Sequence, residues 1–79
     1  MSRFHFNIYD EIVVLDEDGT EFSNLAAARE AAVCGAREMM AAQLLAGEPI
    51  TRHHRIDIAD ESGTVVASLP FGEVMTIRA

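Results

Sequence analysis

The stretch from Ser23 to Pro49 reads SNLAAAREAAVCGAREMMAAQLLAGEP. Ser23 and Asn24 are short polar residues of the kind that cap a helix, because a side-chain oxygen accepts from an N–H that the first turn leaves free. From Leu25 to about Ala46 little interrupts helix formation. Seven of the twelve residues from Leu25 to Ala36 are alanine or leucine, the strongest formers. Gly47 supplies a stop and Pro49 prevents resumption. The sequence therefore predicts one long helix over 25–46. On a helical wheel Leu25, Ala28, Ala32, Ala36, Met39 and Met40 share a face, while Glu30, Cys34, Arg37, Glu38 and Ala41 lie opposite. That is an amphipathic helix with one packing face. Its small side chains let the axis sit close to whatever it covers. Gly35 costs about 1 kcal/mol against alanine; it either permits a close backbone contact or is simply tolerated.

Strand signals flank the helix on both sides. Phe4, Phe6 and Ile8 alternate with His5, Asn7 and Tyr9, the period of a half-buried strand. Asp10-Glu11 breaks the alternation. Ile12-Val13-Val14-Leu15 is a continuous apolar run, strand-like by β-branching. Asp18-Gly19 is a turn signal, since glycine takes positive φ freely, and Thr20-Glu21-Phe22 resumes an extended piece. The main bend falls at Asp10-Glu11, at Asp18-Gly19, or at both. After the helix, Arg55–Ala59 alternates, Asp60-Glu61-Ser62-Gly63 turns, and Thr64–Leu69 resumes. This is the clearest hairpin in the chain. Pro70 lacks a ladder donor, so no central strand runs through it. Residues 71–79 read equally as a strand or a helical turn. Asp-Glu-Asp-Gly-Thr at 16–20 and Asp-Glu-Ser-Gly-Thr at 60–64 are nearly the same turn, with no matching flanks that would make a repeat.

The expected fold is α+β: a single antiparallel four-stranded sheet in ββαββ order, with one long amphipathic helix packed on one face. Residues 1–79 form one domain, with strand pair 3–22, helix 25–46, strand pair 54–70 and a tail at 71–79. Strand order stays open. The bare face of the sheet is expected to carry His5, Asn7, Tyr9, Arg55 and Asp57, polar enough to stay wet yet able to pair with a second copy.

The order of motifs resembles a known family. An Arg-Phe-x-Phe opening strand with Asp10 is followed by Asp16-Glu17-x-Gly19-x-Glu21-Phe22. Then come Asn24-Leu25-x-Ala27-Ala28-Arg29-x-Ala31 and Ile56-Asp57-Ile58-x-Asp60-Glu61-x-Gly63. From about Arg3 to Phe71 this is similar to a family of short bacterial proteins catalogued as the domain of unknown function 6894. Where that family usually has an aromatic residue before the third strand's arginine, this chain has His53-His54. The resemblance implies the strand–helix–strand order and a bacterial, cytoplasmic origin. It implies no catalytic or binding residue.

Composition narrows the function classes. The chain has 79 residues, 49% hydrophobic and 24% charged, the balance of a folded chain rather than a disordered one. Thirteen acids against six arginines, with no lysine, give a net charge of −7. Polyanions are repelled on average, and the arginines at 3, 29, 37, 52, 55 and 78 form no cluster. Neither nucleic acid nor membrane is an expected partner. One cysteine cannot pair within the chain, and no secretory leader or membrane-length apolar run is legible. A cytoplasmic location is expected.

Chemistry-bearing residues are sparse in pattern. Asp10, Glu11, Asp16, Glu17, Asp18 and Glu21 place six acids in twelve residues without a base, leaving −1 for the rest of the chain. A calcium loop counted back from Gly19 would put Val14 at its first ligand position, which does not fit. Solvated turns with edge charges that discourage aggregation are the expected reading. His53 and His54 are adjacent, so they point apart on a strand, and with His5 and Cys34 they lack zinc spacing. Surface histidines are expected, and neither a metal nor another cofactor. Ser23 reads as a cap and Ser62 as a turn residue. Cys34, on the polar side away from the helix N-terminus, has no dipole to activate it. No enzymatic activity is expected.

Met39 and Met40 with Leu44 and Leu45 suit an adaptable binding surface. Leu45 falls about half a turn from the main apolar face, while Leu44 and Val33 widen that face. One sheet face cannot cover all of this, so some apolar area is expected to stay exposed and mark a contact. The expected function is a small non-catalytic interaction domain that self-associates as a twofold dimer. Its interaction surface is drawn from His5, Asn7, Tyr9, Met40, Leu44 and Leu45. The alternative is a regulatory partner module, loosely like antitoxin domains that mask a small toxin, whose acidity would suit a basic protein.

Overall fold

Alternating aromatic and β-branched residues form the first strand, β1, which spans Ser2–Tyr9 in a computed structural model describing residues 1–79. Phe4 enters the core, and Phe6 and Ile8 pack against it. After the long helix come β4 (Arg55–Ala59) and β5 (Val65–Pro70). β4 lies antiparallel to β1 with Phe6 opposite Ile58 and Ile8 opposite Ile56. β5 continues the sheet with Leu69 opposite Ile56. Pro70 is the last residue of this outer strand, where its missing N–H costs no central ladder bond.

The other edge of β1 corrects the expected strand count. The sheet has five strands rather than four: β2 (Val13–Val14) and β3 (Thr20–Phe22) both pair antiparallel with β1, at its two ends. The order is β2-β1-β4-β5, with β3 also on β1. Val14 stands opposite Ile8 and Thr20 opposite Phe4, so five residues (15–19) face three (5–7). The two extra residues make a bulge. Of the two turn signals before the helix, residues 10–12 therefore bend the hairpin, while Asp18-Gly19 closes the bulge.

Helix α1 runs Leu25–Leu45 and lies over the sheet. Asn24 caps it as expected, its side chain accepting from the Ala27 N–H at 2.8 Å. At the far end the Gly47 N–H donates to Leu44 and the Glu48 N–H to Gln43, which satisfies two orphan carbonyls. Ala28, Ala32, Ala36 and Met40 are buried, one per turn. Leu25, expected on that face, is 38% exposed because it sits in the first turn, at the rim of the sheet. A Cβ on Gly35 would meet nothing within 4 Å, so that glycine is tolerated rather than required.

The tail resolves into one helical turn, α2 (Phe71–Val74). Backbone bonds from Phe71 N–H to the His54 carbonyl (2.7 Å) and from Gly72 N–H to Arg52 (2.9 Å) hold its start. Arg37 Nε donates to the Val74 carbonyl at 3.2 Å and ties it to α1. This turn carries Phe71 into the core beside Ile58 and Leu69, the three bulkiest fully buried side chains. Burying each contributes about 1.5–3 kcal/mol. The shortest dimension is 17 Å, room for a sheet and a helix but no third layer. No helix is long and apolar enough to cross a membrane.

Candidate interaction surface

Alternation along β1 sends His5, Asn7 and Tyr9 to the sheet face away from α1, as expected. The structure gives each of them an internal partner. His5 Nδ1 lies 2.7 Å from the Asp16 carbonyl oxygen, and Asn7 Oδ1 accepts from the Asp16 N–H at 2.9 Å. Tyr9 sits under the Arg55 guanidinium, 4.3 Å from its ring centre, a cation–π contact. Arg55 Nε in turn donates to Asp57 Oδ1 at 3.1 Å, and Ser68 Oγ donates to the same oxygen at 2.6 Å. Asp57 is thereby buried and satisfied on a face that carries no helix. This face is polar, as its residues required, but its side chains are committed to one another.

Asp16 is the centre of the bulge. Its Oδ2 accepts from the Phe6 N–H and its Oδ1 from the Gly19 N–H, both at 3.0 Å. It fills the gap on β1 between the β2 and β3 pairings. Partial burial pushes its pKa up, but the donors from Phe6 and Gly19, with His5 and Asp18 beside them, outweigh that and hold the carboxyl below the ordinary 3.8. Of the six clustered acids this one is structural, whereas Glu11, Glu17 and Asp18 are exposed. The two ion pairs of the chain, Arg3–Glu21 and Arg55–Asp57, involve none of those three.

Histidines divide differently from the expectation of three surface residues. His53 is exposed. His54 packs edge-on against Phe71, ring centres 6.2 Å apart, at the position where an aromatic residue would do the same. His5 belongs to the bulge. No group of three or more His, Cys, Asp or Glu side chains is placed to hold a metal ion. Cys34 is free and exposed.

The helix end separates the remaining candidates. Met40 is 5% exposed and part of the core, so it is withdrawn from the surface set. It follows Ala28, Ala32 and Ala36 at four-residue spacing and faces the sheet, as its place on the helical wheel required. Leu45 is 90% exposed and Leu44 71%. Leu44 does not widen the buried face, because α1 outruns the sheet there. Ala41, Ala42 and Ala46 are exposed around them, and no charged residue lies between Glu38 and Glu48.

A second apolar surface was not foreseen. Ile12, Val13, Val14 and Leu15 are all between 51% and 71% exposed. β-Branching marks the run as strand-like and says nothing of its burial. The signal against burial was the acids within two residues of each end, which hold both ends in water. Among the open depressions of the surface, two lie beside candidate residues. One, of about 990 Å³, follows the outer side of α1 past Ala27, Arg29 and Val33. The other, of about 320 Å³, lies where Leu15 and Asp16 approach Asp60 over His5.

Residues 3–72 of the chain match a family model described as "Domain of unknown function (DUF6894)". The chain belongs to that family. No curated protein and no solved structure matches the DUF6894 chain.

Proposed function

We propose that this DUF6894 chain is a non-catalytic interaction domain of the bacterial cytoplasm that works as a twofold dimer through the end of α1. The observation that carries the reading is the pair Leu44 and Leu45, strongly exposed on a stretch without charge. Two copies meet there without repulsion, although the chain carries −7. Arg29 with Glu30 and Arg37 with Glu38 balance the rest of the outer helix face. Burying both leucines from each copy contributes about 6–12 kcal/mol, against an association cost of about 4–15 kcal/mol. The dimer is therefore weak and concentration-dependent. The open form of both depressions supports the non-catalytic part, since neither shields a reacting group from water. The exposed single cysteine suits a reducing compartment.

Light scattering tests the dimer. From about 10 μM to 500 μM the average mass should rise from monomer toward dimer, and Leu45→Lys should hold it at monomer with an unchanged circular-dichroism spectrum. A wild-type mass that stays at monomer across that range removes the reading. The alternative of a module that docks a basic protein is favoured by a separate observation, the bare acidic edge beside β2.

A further inference from the structure

This inference rests on the basic-partner alternative and names the mode and the chemistry of the contact. The Phe6 N–H meets Asp16, so even-numbered residues of β1 turn their peptide groups toward the β2–β3 side. Ile8 opposite Val14 is then the hydrogen-bonded pair, and Tyr9 opposite Val13 the non-bonded one. The peptide groups of Val13, and by continued alternation those of Leu15 one residue past β2, point away from β1. β2 is the outer strand on that side, so these groups face solvent as an open ladder.

The side chains say what would cover it. Edges that need only protection carry charge within the strand. Here the strand itself is apolar, and the charges stand at its ends: Asp10 and Glu11 before it, Glu17 and Asp18 after it. An antiparallel copy of the same strand would bring Asp10-Glu11 of one chain beside Asp16-Glu17 of the other, and like charges oppose that pairing. A strand with basic residues flanking or alternating with apolar ones meets the opposite situation.

We propose that the β2 edge receives an extended basic segment of another protein by strand addition. The incoming backbone bonds to the Val13 and Leu15 peptide groups. Its apolar side chains lie beside Val14 on the Ile8 face of the sheet or beside Val13 on the Tyr9 face, and its arginines or lysines meet Glu11, Glu17 and Asp18. Four residues make a small contact, so binding is transient in class and sensitive to salt.

The experiment is a titration of the ¹⁵N-labelled full chain with a capped hexapeptide alternating arginine and valine, followed by amide shifts and hydrogen exchange. The expected result is saturable binding below about 1 mM, with slowed exchange at Val13 and Leu15 but little change at Val14. Affinity should fall about tenfold on charge reversal at Glu11 and Glu17 to lysine, two exposed sites without partners. A peptide alternating glutamate and valine should not bind; equal binding of that peptide overturns the charge assignment. Shifts from the basic peptide confined to α1 or the polar sheet face overturn strand addition while leaving the basic-partner reading standing. Absence of any shift up to several millimolar removes both.

Discussion

Asp16–Thr20 and Asp60–Thr64 differ at one residue, Asp18 against Ser62, yet they do unlike work. At 60–64 the aspartate serves its own hairpin. Asp60 Oδ1 accepts from the Ser62 N–H, the Ser62 hydroxyl and the Thr64 N–H. At 16–20 the aspartate reaches across to β1 and holds the edge of the sheet in register. The glycines follow suit. Both have positive φ, +71° at Gly19 and +87° at Gly63. A Cβ on Gly63 would meet nothing, whereas one on Gly19 would lie 2.9 Å from the Phe4 carbonyl oxygen and from Arg3 and His5. A short motif sets local turn geometry; what it touches depends on where the topology delivers it.

Alanine at the two glycines gives the largest contrast. Gly63→Ala should cost about 1–2 kcal/mol from φ alone, lowering Tm by roughly 5–10 °C. Gly19→Ala adds a backbone collision and should cost more than about 3 kcal/mol, seen in thermal melts as a drop at least twice as large or as loss of folded protein. Equal losses would break the distinction between the two turns. Asp16→Ala should cost about 2 kcal/mol, because it strands the Phe6 and Gly19 N–H groups. Asp60→Ala should cost less, since water reaches its donors. Urea titration of the two variants ranks them.

Acid sharpens the same comparison. Both aspartates have pKa values below the ordinary 3.8, Asp60 chiefly through the Ser62 hydroxyl and Asp16 through donors that overcome its partial burial. A depressed folded pKa contributes stability that is fully present above the unfolded value and disappears as pH falls through the folded one. Wild-type Tm should therefore hold from pH 7 to about 5 and fall below about 4. Asp16→Asn should start lower and fall less steeply over that range, while a parallel curve would mean Asp16 contributes no linkage. The smallest expected effect has the opposite sign: Gly35→Ala, where a Cβ meets nothing, should stabilise by about 0.5–1 kcal/mol, measurable by thermal melt.

Local signals made most of the fold legible. The Asn24 cap, the alanine spacing at 28, 32 and 36, and the Asp60–Gly63 turn are each decided within a few residues. That Val13–Val14 and Thr20–Phe22 both pair with β1 was not legible. It depends on Asp16 meeting the Phe6 N–H, a contact between residues ten apart in the chain. The tail was equally undecidable, because Phe71 becomes helical where the His54 and Arg52 carbonyls meet its first turn. For the surface, the exposure of Leu45 was readable from the wheel, and that of Ile12–Leu15 only from the acids at the two ends of the run. β-Branching reports strand character, and only sheet order reports which strand is outermost.

Those two apolar surfaces bear opposite electrostatic settings, and the proposed dimer depends on which one a second copy selects. An amide-shift dilution series from about 500 μM to 10 μM reads this residue by residue. The account predicts concentration-dependent shifts confined to Ala41–Ala46 and none at Ile12–Leu15. Shifts centred on Ile12–Leu15, or a spectrum unchanged across the series, would contradict it.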